Sequence, residues 1–408
     1  MTKRIWLCLM VAVLAAFSGC SAPDVPKGPA PPVALVAVDD KSPAGPASEE
    51  PNLSVASDGS AYMSWLEPAK AGGYALLFSA RSTGGVWSAP KTIVSGMDWF
   101  VNAADFPSIT AMPDGTLAAH WLGNNEPGSE AYNINIVFSH DKGGTWSKPV
   151  VPHRDRKKQQ HGFLSLLPSI DGKLGAVWLD GRQYKDDDDE GDMALIYTTI
   201  APDGTLGQET ILDPRACECC HTSAAATPDG MAVVYRDRSD KEIRDISIVR
   251  YANGSWSPPE PLSQDGWEIH GCPVNGPAIS SNGQNVAAAW FTAPEDKARV
   301  SVVMSADGGK TFGKPIQIDE GKPTGHVDIL SIPSGAAVVS WLERTDQGQQ
   351  IRVRQVSADG SLGSPITVSG DAGVRSGGFP RMGSLGSQVL VAWTDGGKVP
   401  QVRTALLK

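Results

Sequence analysis

Short apolar runs recur along the chain at a nearly fixed spacing, each closing on an aromatic residue and each separated from the next by polar segments rich in Gly, Asp and Ser. The closing aromatics are Trp65, Trp121, Trp178, Tyr235, Trp290, Trp341 and Trp393, so successive units lie 56, 57, 57, 55, 51 and 52 residues apart. In the first six units a further apolar run follows, at residues 75–80, 134–139, 194–199, 246–251, 300–305 and 351–356, then a turn and a proline-containing segment. Short runs of this kind, punctuated by turn residues and with scarcely any helical period, predict β-strands. Four strands per repeat of this length predict propeller blades. The seventh unit stops after three strands, at 379–382, 389–393 and 402–407, and lacks an outer one. The apolar segment 33–38 near the other end of the chain can supply it, closing the ring and removing an exposed edge. The expected fold is therefore an all-β propeller of seven four-stranded blades over residues 49–408, closed by strand 33–38, with a six-bladed ring as the alternative.

The first residues follow a different pattern. Lys3 and Arg4 precede an apolar run from Ile5 to Phe17 that is too short to span a bilayer, which predicts a signal peptide over residues 1–19. The segment Phe17-Ser18-Gly19-Cys20 resembles the bacterial lipobox, which implies acylation at Cys20; cleavage as an ordinary signal peptide near Ala22 is the alternative. Residues 20–48, with prolines at 23, 26, 29, 31, 32, 43 and 46, read as a lipidated tether that carries the closing strand. The expected location is the cell envelope, anchored at the outer membrane through lipid alone, facing the periplasm or the surface.

Composition narrows the partners. Without Lys3 and Arg4 the chain holds 33 basic against 45 acidic residues, a net charge of −12, and no basic block follows a phosphate backbone, so nucleic acid is excluded as a partner. The 44 Gly and 31 Pro are the turn residues an all-β chain requires. The 408 residues are enough for two ordinary domains, but the repeat predicts one.

Two turns share a pattern, Ser139-His140-Asp141-Lys142-Gly143-Gly144-Thr145-Trp146 and Ser305-Ala306-Asp307-Gly308-Gly309-Lys310-Thr311-Phe312, with weaker echoes at 84–87 and 253–256. The Asp is expected to bond backbone amides of the Gly-containing turn while the final aromatic packs below it. These turns resemble the Asp-boxes, or BNR repeats, of the sialidase superfamily, and the chain as a whole is similar to exported bacterial sialidase-like lipoproteins. Such boxes speak to fold rather than chemistry.

In a four-stranded meander the linkers entering each inner strand share one face with the loops between strands two and three. The linkers hold Asp105, His161, Cys217-Glu218-Cys219-Cys220-His221, His270-Gly271-Cys272, His326 with Asp328, and Arg375 with Arg381. The loops add Asp180-Gly181-Arg182, Arg236-Asp237-Arg238 and Arg244-Asp245. Five of the seven histidines, His153 among them, fall in or beside these linkers. The resemblance implies an arginine grip on a carboxylate, for which Arg182, Arg236 and Arg381 are the candidates, and an acid, for which Asp105 is the candidate. The sequence departs from the family in lacking an Arg-Ile-Pro segment before the first blade and a tyrosine in the last; Tyr184 and Tyr235 stand elsewhere. The implied function is recognition or exo-α-sialidase-like hydrolysis of an acidic glycan at an arginine-lined mouth. The alternative is a non-catalytic envelope propeller with a Cys/His cluster or a docking role toward another envelope protein.

Of six cysteines, Cys8 leaves with the signal peptide and Cys20 takes lipid. Cys217, Cys219, Cys220 and Cys272 remain in neighbouring linkers. Two disulfides, with Cys272 joined to Cys219 or Cys220, are one expectation. A Zn or Cu site completed by His221 and His270 is a second, and a redox-active pair a third. The acidic run 186–190 with Asp192 reads as a solvated loop or a calcium site. Trp267 reads as a sugar platform or a core aromatic.

Overall fold

The computed structural model describes residues 35–125, 131–168, 171–185, 191–346, 348–368 and 378–408. The chain divides into Met1–Pro31 and Pro32–Lys408, and every described residue belongs to the second unit. The signal peptide, Cys20, most of the acidic run and Arg375 lie outside the described residues.

The described chain forms seven antiparallel sheets in sequence order, a seven-bladed propeller, which removes the six-bladed alternative. Blade 1 comprises Glu49–Val55, Ala61–Pro68, Tyr74–Arg81 and Lys91–Gly96. Blade 4 begins with Ser223–Thr227, Gly230–Arg236 and Ile246–Ala252, and blade 5 with Ala278–Asn282, Asn285–Thr292 and Arg299–Ser305. Blade 2 has three strands, and its outer edge is reduced to a bridge in which Ile136 and Val150 exchange bonds of 2.9 and 2.8 Å.

The closure forms as expected, with a shift. The outer strand of blade 7 is Ala37–Asp40, overlapping the expected 33–38 and extended by Val36, which exchanges bonds with Lys408; residues 33 and 34 lie outside the described residues, and Ala37 pairs with Leu407 and Asp40 with Thr404. Asp40 fixes this register by also accepting from the Trp87 indole at 3.1 Å and meeting Arg81 at 3.4 Å, so the strand is tied to blade 1 as well. Part of the expected tether is thus folded: Ala44 is buried, and Ser48 accepts a bond from Val402 N at 2.9 Å.

The repeat aromatics are all buried. A buried indole N–H needs an acceptor. Trp65, Trp178 and Trp341 find it two residues on, in Glu67, Asp180 and Glu343, at 2.7, 2.7 and 2.8 Å. The two expected Asp turns have the expected bonds: Asp141 and Asp307 accept from the backbone N–H of Thr145 and Thr311 at 2.8 and 3.0 Å. Trp146 packs edge-on against Phe78 of the preceding blade.

Neighbouring inner strands are joined around the ring by side-chain latches. Asn52 accepts from Ile109 N (3.3 Å), Asp105 from Phe163 N (2.7 Å), Ser223 from Ile279 N (3.1 Å), Asn275 from His326 N (2.8 Å) and Asp328 from Met382 N (2.7 Å). Thr222 donates to Phe163 O at 2.9 Å, and Thr394 accepts from Glu50 N at 3.2 Å. Each is a buried or half-buried bond worth roughly 0.5–1.5 kcal/mol. Together they cross every joint between blades.

Candidate functional site

A polar pocket of about 310 Å³ is bounded by the inner strands of blades 1 to 4 and by Arg381 of blade 7. Around it stand Asp105, Phe106 and His221. The Arg381 guanidinium lies over the Phe106 ring, 5.3 Å from its centroid. Its Nε is buried without a hydrogen-bond partner among the described residues, and the nearest carboxylate, Asp328, is 3.9 Å away. Phe379 stacks on His326 at 4.0 Å and meets His221 edge-on and Phe106 at 5.5 Å, so the ring under the cation belongs to an aromatic cluster. His221 is buried, and neither ring nitrogen has a well-formed hydrogen bond among the described residues. Burial first, then the charges of Arg381, His326 and Arg236, push its pKa down to about 3, so it is neutral here.

Asp105 borders the same pocket, but both its oxygens are engaged, one by Phe163 N and the other by the Tyr132 hydroxyl at 3.0 Å. Burial raises its pKa to about 7 against those two bonds. The close fit extends to Gly162, where a Cβ would collide with the Asp105 carboxylate. The expected acid is thus also the latch between blades 2 and 3. Sequence reading missed Tyr132, whose only signal is its place at the start of a strand.

The three expected arginines are not brought together. Arg182 is held by Asp180 and Glu209, both at 2.8 Å, on the acceptor that also takes the Trp178 indole. Arg236 is 1% exposed and donates to the carbonyls of Asn275, Arg244 and Phe291 at 2.8, 2.6 and 2.7 Å, clamping blade 4 to blade 5. Tyr184 and Tyr235 are buried, the latter donating to Asp213. Trp267 is a core aromatic, packed on Phe291 and lying under Arg236.

The cysteines do converge. Ala216 bridges Asp237 and Cys217 N donates to Arg236 O at 3.0 Å, so the linker leaving blade 3 is pinned to the end of blade 4's second strand. A turn at Glu218 and Cys219 then folds the sulfurs of Cys217, Cys219 and Cys220 to within 4.8 Å of one another, with Cys217 and Cys219 at 3.8 Å. Cys272 joins from the next linker through its contact with Cys219. All four thiols stand unbridged. Burial works to raise the Cys217 pKa, but hydrogen bonds from the Cys219 and Cys220 thiols and the charge of Arg236 overcome it and hold Cys217 well below the usual thiol value. Arg244 donates to Cys217 Sγ at 3.4 Å and to Glu218 at 2.9 Å. Cys219 and Cys272 open onto a cleft of about 600 Å³ that also reaches Tyr184, Arg238 and Gln160.

The two histidines expected beside the thiols are elsewhere. His221 turns away from the sulfurs to the channel pocket, against Phe379. His270 is exposed beside Glu268, at 3.5 Å, because Trp267 is the residue drawn inward. A separate buried trio forms instead, with His153 and His161 stacked at 3.6 Å and both facing Asp155.

No protein-family model matches the sequence, and no curated protein matches it. Among solved structures, the BP39L lectin from Burkholderia pseudomallei superposes with a TM-score of 0.59 at 15% identity, over 88% of this chain and 96% of the lectin. The polysaccharide lyase Uly1 gives 0.52 at 10% identity, over 88% and 89% of the two chains. The NanB sialidase from Streptococcus pneumoniae gives 0.44 at 12%, over 88% and 68%. At these identities the likeness is one of propeller fold.

Proposed function

We propose that this chain is a lipid-anchored envelope propeller that binds an acidic saccharide at the channel mouth through Arg381 and does not hydrolyse it. The observation that carries this reading is the Arg381 guanidinium, a half-buried cation at a polar pocket with an unpartnered Nε and no carboxylate within hydrogen-bonding distance among the described residues. A guanidinium fork suits a carboxylate because it donates two parallel bonds and keeps its charge. Phe106 and the hydroxyls of Ser108, Ser165 and Thr222 supply an apolar face and polar edges, the mixture a sugar ring presents. The pocket volume lies at the small end of the roughly 300–1,000 Å³ typical of small-molecule sites, which fits a terminal monosaccharide. A lectin and a polysaccharide lyase carry the same fold, and a saccharide ligand is the class their names bring to this chain.

Hydrolysis of a glycoside requires an acid and a nucleophile or base free to reach the bond. Asp105 has both oxygens engaged, and Tyr184 and Tyr235 are buried, so binding without turnover is the better fit. An array of acidic and neutral glycans, run alongside a fluorogenic sialoside, tests this. Retention of carboxylated glycans without turnover is expected. Absence of binding to any acidic glycan would overturn the reading, and sialoside turnover would overturn its non-hydrolytic part.

A further inference from the structure

We propose that Cys217, Cys219, Cys220 and Cys272 form a tetrathiolate site for Zn2+, separate from the channel mouth. Three sulfurs lie within 4.8 Å of one another, and the Cys217–Cys219 separation is 3.8 Å. With Zn–S bonds of ~2.3 Å, a tetrahedral site has sulfur–sulfur edges of about 3.8 Å, so these thiols need little movement to share one ion. Cys272, on the adjacent linker and lining one cleft with Cys219, is the fourth donor once it closes toward the other three. Four donors favour tetrahedral Zn2+ over Cu(I), which is satisfied by fewer thiolates.

Two arginines stand beside the sulfurs. Arg236 is buried and donates only to backbone carbonyls, so no carboxylate balances it directly. A buried cation without a counter-ion is costly. Cys217 lies directly beside it, its backbone N–H donating to the Arg236 carbonyl at 3.0 Å. Arg244 places an N–H on the Cys217 sulfur at 3.4 Å, the type of outer bond that orients a metal-bound ligand. Four thiolates around Zn2+ carry a net charge of about −2, which Arg236, bonded only to carbonyls, offsets in part. The cleft at Cys219 and Cys272 gives the ion a way in.

The test uses the full-length chain, reduced, incubated with Zn2+ and passed through a desalting column, with metal and thiols counted per chain. One Zn2+ per chain is expected, together with an intense thiolate-to-metal absorption band when Co2+ replaces it. Cys272→Ser, at an exposed position that the fold tolerates, should weaken retention at least tenfold. Cys217→Ser should abolish it, with circular dichroism checking that the variant folds. His270→Ala should leave metal content unchanged. Zn2+ retained equally by the cysteine variants would overturn the proposal, as would no retained Zn2+ in wild type. Retention of Cu(I) to the exclusion of Zn2+ would overturn the tetrahedral assignment.

Discussion

The channel mouth and the cysteine linkers both gather charge on this propeller, and they resolve it in opposite ways. At the mouth, one guanidinium, that of Arg381, is left facing a polar pocket with its nearest carboxylate 3.9 Å off. At the linkers, Arg236, Arg238 and Arg244 are bound into a network with Glu218, Glu242, backbone carbonyls and the Cys217 sulfur. The first region is a cation without a hydrogen-bonded anion among the described residues. The second is a thiol cluster bordered by cations that are themselves already paired or bonded. Residue type alone does not assign a role, since arginine is a ligand group in one region and scaffolding in the other.

The largest effect that sharpens this contrast comes from removing the frame both regions share. Deleting residues 35–41 strips the outer strand of blade 7 and the Asp40 contacts to blade 1. Loss of cooperative unfolding is expected in thermal and urea melts, because a sheet edge is opened and the ring unlatched. An unchanged midpoint would show that the ring closes otherwise.

Next comes Arg236→Ala. Its three buried carbonyl bonds and its charge beside Cys217 are lost together, so a fall of about 3–5 kcal/mol in unfolding free energy is expected. A loss under about 1 kcal/mol would place Arg236 with Arg381 as an open cation instead.

Asp105→Asn comes third, and its effect depends on pH. The folded pKa, about 7, lies above the ordinary value of 3.8, so the folded state holds a proton that the unfolded state has released. That contribution is fully present below about pH 4 and is lost as pH rises through 7. Compared with the asparagine variant, wild type should therefore lose roughly 2–4 kcal/mol between pH 4 and 8, read as the difference between two urea-melt profiles. Parallel profiles would mean that Asp105 titrates normally.

The smallest effect is at the surface turns. Asp141→Ala removes the acceptor for Thr145 N and its hydroxyl, an exposed pair of bonds, and should lower the melting midpoint only slightly while leaving the mouth and the thiols untouched.

Much of the frame was legible because it repeats. Seven aromatics at regular spacing marked the second strands, and the strand at 402–407 was placed to the residue. The closing strand runs on to Asp40, beyond the expected 33–38, because its register depends on Asp40 reaching Trp87 and Arg81, contacts 47 and 41 residues away. The site was less legible for the same kind of reason. Arg236 is engaged by carbonyls 39 and 55 residues away, whereas Arg381 is not, and nothing in the sequence around either shows the difference. The convergence of the cysteine linkers followed from blade order. The separation of His221 from Cys220 did not, since it turns on which way each of two adjacent side chains points. Asp105 and Asp328 drew notice as linker carboxylates, and both proved to be latches between blades.

The most direct measurement is a calorimetric titration of N-acetylneuraminate into wild type, Arg381→Gln and Arg182→Gln. Saturable binding to wild type is expected, weakened by roughly 2–4 kcal/mol in Arg381→Gln with an unchanged Tm, and unaffected in Arg182→Gln, whose guanidinium is already held by Asp180 and Glu209. Equal binding by wild type and Arg381→Gln would contradict the assignment of the channel mouth as the ligand site.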